Sequence, residues 1–319
     1  MILSPQQEDA LSKLLPVARI ATSGIRSSMP VLARTHSLLI GPSGSGKSFL
    51  ARKIGERIGV PVFHINVCNW MICGARSDPW TSSSIADWLD RLQGGGILVL
   101  DELDKLCAGS GGGNYGGSEW NRNTILEAFD ILDGIIPSAS KLPLESIEAE
   151  QFLVTGSGST GSGESQRDKL GTILRERVMI LGCGAWQAAW QSNTRQLGFG
   201  SSREDYLPEA PSREQILQSI YPELRQRFRD EIILLPPMLP ADYARVARDI
   251  ARQIPKELLP AWNKEIGGVF RRAADGSLGM RALEELLLKA MILAGKGKEP
   301  QEKPTSQGLK PPRGEPQLW

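Results

Sequence analysis

Gly41-Pro42-Ser43-Gly44-Ser45-Gly46-Lys47-Ser48 follows the apolar run Ser37-Leu38-Leu39-Ile40 and precedes Phe49-Leu50-Ala51-Arg52-Lys53-Ile54. The order reads as strand, glycine-rich loop, helix. Gly41, Gly46, Lys47 and Ser48 meet the pattern G-x-x-x-x-G-K-[ST]. Glycines let successive backbone N–H groups turn inward around phosphate oxygens, where a Cβ would obstruct the turn. The helix that starts near Lys47 directs its positive end at the same anion. Lys47 is expected to reach the β- and γ-phosphates and the Ser48 hydroxyl to ligate Mg²⁺. Pro42, Ser43, Gly44, Ser45 and Phe49 complete the nucleotide-binding stretch, and ATP or GTP is the ligand it implies.

A second run answers the first. Ile97-Leu98-Val99-Leu100-Asp101-Glu102 has four apolar residues in a row, which suits a central parallel strand buried on both faces. Its two carboxylates fall at the carboxyl end, where open α/β sheets bind ligands. Asp101 is expected to hold Mg²⁺ and Glu102 to polarise the attacking water.

The 319 residues are 40% hydrophobic and 23% charged, enough for a large core and for more than one domain. A formal net charge of +1 supplies no global field toward DNA or anionic membrane. Cys68, Cys73, Cys107 and Cys183 form no C-x-x-C pair, and His36 and His64 are the only histidines. Reduced thiols in a cytoplasmic protein are the expectation, rather than zinc or disulfides. The amino terminus carries no basic-then-apolar signal pattern and no apolar run is long enough to span a bilayer, so no membrane partner is expected.

Outward from the loop, Pro5 to Ala21 reads as an amphipathic helix broken at Pro16, with Leu11, Leu14 and Leu15 on one face. It is expected to pack beside the nucleotide. A helix through Ile58 ends at Gly59, and Val62–Val67 reads as a strand on which His64 is structural. Ser82 to Leu92 and Asn121 to Leu132 read as helices, and Val178–Gly184 as the next buried strand. Gly109–Ser118 and Gly156–Gly163 read as flexible loops, and Arg175 and Arg177 as solvated charges. Ile232–Leu235 is a short apolar strand before the boundary at Pro236-Pro237. Beyond it Ala241–Ile254, Lys256–Ile266 and Gly279–Ala290 read as helices, and from about Gly295 the composition is that of a solvated tail.

The phosphate loop, Leu100-Asp101-Glu102, Pro222-Glu223-Leu224-Arg225-Gln226-Arg227-Phe228 and Gly279-Met280-Arg281-Ala282-Leu283 occur in the order that resembles AAA+ ATPases. Within them the chain looks most like the ClpX/HslU branch. The resemblance implies an α/β P-loop AAA+ core, a parallel sheet sandwiched by helices, with a small helical C-terminal lid domain. The large domain would take residues 1–237, the lid 238–295 and a disordered tail 296–319. Arg227 matches the arginine finger, which reaches the γ-phosphate held by a neighbouring subunit; Arg225 and Arg229 flank it. Arg281 matches sensor 2, and Cys183 lies in the turn that matches sensor 1.

The resemblance further implies ATP with Mg²⁺, a homo-oligomer of hexameric kind and a protein client. Leu197-Gly198-Phe199 is of the apolar-Gly-aromatic type that docks ClpX-like rings onto the ClpP peptidase; a packed loop without that partner is the reading favoured. No stretch of these residues resembles the zinc-binding N-domain of ClpX, so a different route of client delivery is expected, and Gly74-Ala75-Arg76-Ser77 stands where the Gly-Tyr-Val-Gly pore loop would be. Trp70, Met71, Trp80 and Tyr115 are the residues available to replace its aromatic grip. Protein remodelling or unfolding is the first functional reading. A DNA-associated AAA+ regulator and an assembly switch of the MoxR kind are the alternatives.

Overall fold

The computed structural model describes residues 2–75, 79–107, 119–143, 162–187, 189, 211–274 and 280–296. Five strands form one parallel sheet: β1 (Ser37–Ile40), β2 (Val62–Asn66), β3 (Gly96–Asp101), β4 (Val178–Gly184) and β5 (Ile232–Leu234). Their spatial order is β2-β3-β4-β1-β5. Leu38 pairs with Gly182 of β4 on one side and with Ile232 of β5 on the other. β4 thus stands between the strand that leads into the phosphate loop and the strand that ends in Asp101, and both carboxyl ends open on one edge of the sheet.

Alternation along the strands divides the core in two. Leu38, Ile40, Leu98, Leu100, Val178 and Ile180 point to one face, and Leu39, Ile97, Val99, Met179, Leu181 and Cys183 to the other. Runs that are apolar at every position are what a sheet covered on both faces requires. The second face is covered by α1 (Pro5–Thr22) and α2 (Lys47–Ile58), through Leu11, Leu14, Leu50 and Ile54. The first is covered by α3 (Val67–Ala75), α4 (Trp80–Asp90), α5 (Glu119–Leu132) and α6 (Ser162–Arg177). Two short helices, α7 (Arg213–Gln218) and α8 (Pro222–Arg225), precede β5. Then α9 (Pro240–Ala251), α10 (Leu259–Ala274) and α11 (Arg281–Lys296) close around a third cluster that includes Tyr243, Val246, Trp262 and Leu286.

Several elements differ from their sequence reading. α1 runs unbroken through Pro16, which sits on the exposed face, where the carbonyl left without an N–H partner is open to solvent. Val67 starts α3 instead of ending β2, and the Asn66 carboxamide accepts from the Cys68 and Asn69 N–H groups at that start. Arg175 and Arg177 end a 16-residue helix that the glycine-serine run before it conceals. Gly171 lies in that helix where a Cβ would come 2.6 Å from the Gly134 carbonyl oxygen, so the close crossing demands glycine. α7 begins at a capping box between Ser212 and Gln215. α10 extends through Ala274 and α11 through Lys296, so Gly295 is helical. Residues 109–118, 156–161 and 297–319, the two expected loops and the tail, lie outside the described residues, as do Leu197, Gly198 and Phe199.

His36 fastens the amino ends of the strands. It is buried, its Nδ1 accepts from the Ile180 N–H at 3.2 Å, and its ring bonds the Leu132 backbone. Burial, reinforced by the Arg26 and Arg34 charges, holds its pKa down to about 4. A group kept neutral in the fold but able to protonate when unfolded takes up a proton on unfolding at any pH between its folded and unfolded values. Stability should therefore be full above about pH 6.5 and fall by up to about 1.4 kcal/mol per pH unit toward the folded value. Urea titrations at stepped pH should show that slope in the parent chain, and His36→Gln should lack it.

Candidate nucleotide site

The phosphate loop is shaped by backbone it cannot alter. Gly46 caps α2 at φ 87°, a left-handed conformation costly for any other residue, and a Cβ there would fall 2.2 Å from Gln7 Nε2. Gln7 is fully buried on α1; its Oε1 accepts from the Ser4 N–H at 3.0 Å and its Nε2 donates to the Ser45 carbonyl at 3.0 Å. The Ser4–Gln7 capping box that starts α1 therefore also braces the loop. This role was legible in Ser4-Pro5-Gln6-Gln7 only as a helix start.

Lys47 and Ser48 open α2 beneath the loop. Lys47 Nζ donates to the carbonyls of Gly41 at 2.7 Å and Pro42 at 3.1 Å. Burial pushes the lysine pKa down, against the opposing pull of the Asp101 and Asp104 carboxylates. The Ser48 hydroxyl donates to Asp101 Oδ2 at 2.5 Å. A hydroxyl and a carboxylate side by side at the loop are the hard oxygen donors that suit Mg²⁺, and they are the residues that would hold it.

Glu102 leaves β3 at φ 61°, a conformation uncommon outside glycine. Its N–H donates to Asp101 Oδ1 at 3.0 Å, and its Oε2 accepts from the Cys68 thiol at 2.9 Å. Burial, with the Glu102 carboxylate adding to it, pushes that thiol up to about 11, so it stays a protonated donor. Cys68 was not among the expected site residues. It became one because α3 starts where a strand was expected. Asp104 Oδ1 accepts from the Ala185 N–H at 3.2 Å, tying the turn after β3 to the end of β4.

One cleft of about 720 Å³ gathers these groups, a size suited to a small-molecule cofactor. Lys47, Ser48, Phe49, Asp101 and Glu102 line it from the sheet, and Ile254, Met280 and Arg281 from the last helices. The Met280 N–H donates to the Gly44 carbonyl at 3.2 Å, joining the start of α11 to the loop tip. Cys183 is fully buried behind Lys47, and burial pushes its thiol far up. Arg227 is elsewhere. Its guanidinium donates to Asp133 Oδ2 at 2.6 and 3.0 Å, and lies 4.3 Å from the centre of the Phe129 ring. Of its neighbours, Arg225 is exposed and Arg229 pairs with Glu231 at 2.8 Å.

Residues 37–142 match the family described as ATPase family associated with various cellular activities (AAA). These residues are an AAA ATPase domain. They include the loop, β1 to β3 and α5, and the α/β P-loop core expected from the sequence is the fold observed. The reaction such a domain carries out is hydrolysis of ATP to ADP and phosphate.

The chain is 30% identical over 105 residues to the ATP-dependent zinc metalloprotease FtsH of Pseudomonas putida, which covers 32% of this chain and 16% of that protein. It is 35% identical over 88 residues to the ATP-dependent Clp protease ATP-binding subunit ClpX of Azotobacter vinelandii, covering 26% and 20%. A longer match, 28% over 151 residues, is to FtsH of Methylococcus capsulatus and covers 45% and 23%. The matches thus span 16% to 23% of these relatives' own length. Relatives of both names match this chain, so the likeness extends beyond ClpX. No helix among the described residues is long and apolar enough to cross a membrane.

Two substitutions test the AAA cleft. Lys47→Ala should abolish ATP binding measured by calorimetry. Glu102→Gln should retain ATP binding while turnover falls by about 10²–10⁴-fold, measured as phosphate release.

Proposed function

We propose that the chain is a ring-forming AAA+ ATPase, of the ClpX/HslU kind, that remodels or unfolds a protein partner and hydrolyses ATP at subunit interfaces. The observation that carries this reading is a separation. Lys47, Ser48, Asp101, Glu102 and Arg281 line one cleft, whereas Arg227 lines a different cavity of the same chain. An arginine in the Pro-Glu-x-x-x-Arg setting that stands apart from its own cleft is suited to completing the cleft of a second copy. A hexameric ring repeats that contact around a closed path.

Within the cleft, the loop N–H groups and Lys47 would bind and orient the phosphates, and Ser48 with Asp101 would hold Mg²⁺, which would neutralise phosphate charge. Glu102 would take a proton from the attacking water, its carboxylate steadied by Cys68. Arg227 of a neighbour would neutralise charge that grows on the transferred group. Arg281 stands on α11 beside the Met280–Gly44 bond, where the helices of residues 238–295 would act as a lid that follows nucleotide state.

Of the two candidate tryptophans, Trp80 is the one whose exposure supports a client-gripping role. It is 58% exposed at the start of α4, adjoining the expected pore-loop region, of which residues 76–78 lie outside the described residues. Trp70 is 1% exposed and donates to Glu127 Oε2 at 2.9 Å, which commits it to the core. A cytoplasmic location fits the cysteine usage.

Arg227→Ala should lower turnover by about a thousandfold or more while ATP still binds. Mixed with Glu102→Gln, itself inactive, it should regain activity, since one mutant offers an intact cleft and the other an intact arginine. No recovery on mixing would place Arg227 outside the neighbour's cleft. An unfolded protein should stimulate turnover, and Trp80→Ala should blunt that stimulation. Stimulation by DNA instead would favour the regulator reading.

A further inference from the structure

At the amino ends of β1 and β4 lies a second cavity, of about 340 Å³, that shares no lining residue with the nucleotide cleft. Four arginines line it, Arg26, Arg34, Arg175 and Arg227, against a single carboxylate, Asp133. That carboxylate is already engaged, since Arg227 donates to its Oδ2 twice. Arg34 donates to the Gln226 carbonyl, and Arg175 to the Thr172 hydroxyl at 3.3 Å. His36, which also lines the cavity, contributes no charge near neutral pH.

Arg26 is the anomaly. It is 4% exposed, and its Nε and Nη1 have no hydrogen-bond partner among the described residues. Glu176 is the acidic group whose charge reaches it. Thr35, 3% exposed, lines the same space, and its Oγ1 is equally without a partner there. Burying a guanidinium with N–H groups unanswered is costly, and a chain retains such a group where a ligand supplies the missing acceptors.

We propose that this cavity is a binding site for an oxyanion of the phosphate class, held by Arg26 and Thr35 as the enclosed donors and by Arg34 and Arg175 at the rim. The guanidinium fork matches phosphate oxygens two at a time, and the hydroxyl adds a donor that rotates to suit. Charge selects phosphate over carboxylate: four cations facing one anion are better neutralised by a dianion than by a monoanion. The space also admits a diphosphate or a phosphate ester. The proposal does not rest on Arg227 acting in a neighbour's cleft, because Arg26 and Thr35 carry it.

Calorimetry on the full chain in phosphate-free buffer tests it, with Lys47→Ala as the background so that the phosphate loop does not contribute. Inorganic phosphate or pyrophosphate should bind at one site per chain, and acetate far more weakly. Adding Arg26→Met should weaken binding by about 10- to 100-fold, and Thr35→Val by about 2- to 10-fold. The melting temperature of the Arg26→Met chain in phosphate-free buffer should equal or exceed that of its parent, because an unanswered buried charge has been removed. ADP binding in the Lys47→Ala background with the same Arg26 dependence would identify a nucleotide phosphate as the source; binding of the free ions alone would identify the inorganic anion. The proposal is overturned if neither anion binds, if Arg26→Met leaves affinity unchanged, if acetate matches phosphate, or if Arg26→Met melts lower than its parent without ligand.

Discussion

A half-buried lysine ammonium sets the terms for the rest of this molecule. Lys47 Nζ donates to the carbonyls of Gly41 and Pro42, and the charges of Asp101 and Asp104 oppose the burial that lowers its pKa. Those carbonyls must point inward, which fixes the path of the loop. That path brings Ser45 within reach of Gln7 and Gly44 within reach of Met280. The helix before the sheet and the helices after it are thus both positioned by where one cation is placed.

The order of the strands supplies the opposing wall. With β4 between β1 and β3, Ser48 and Asp101 come together from positions 53 residues apart. The same order sends the chain past the amino ends of β1 and β4, where His36 and Arg26 are enclosed. The sheet thus carries one cavity at its carboxyl edge, lined by Lys47 and the phosphate loop, and another at its amino edge, lined by guanidinium groups.

Much of this was legible in the sequence, and what was not has physical causes. The loop, β3 and the carboxylates after it announce themselves because each is a local pattern with a local reason. Pro16 misled because its cost depends on which side of the helix meets water, which follows only from packing. α6 was hidden by Gly171 and by the glycine-serine run before it, and its glycine makes sense only against Gly134. The Ser212–Gln215 box was a readable start that went unread. Arg26 and Thr35 were silent because their significance is a missing partner, which is a property of three-dimensional placement. The separation of Arg227 from Lys47 was expected from motif order, and the structure adds its clasp on Asp133 and its stacking on Phe129.

The bond from Met280 to Gly44 joins two peptide groups and uses no side chain. The two ends differ in what they tolerate. Gly44 stands at φ 81°, so any other residue there strains the turn that aims its carbonyl. At 280 only proline removes the donor outright, so drift can retune the joint from the helical side while the loop side stays glycine.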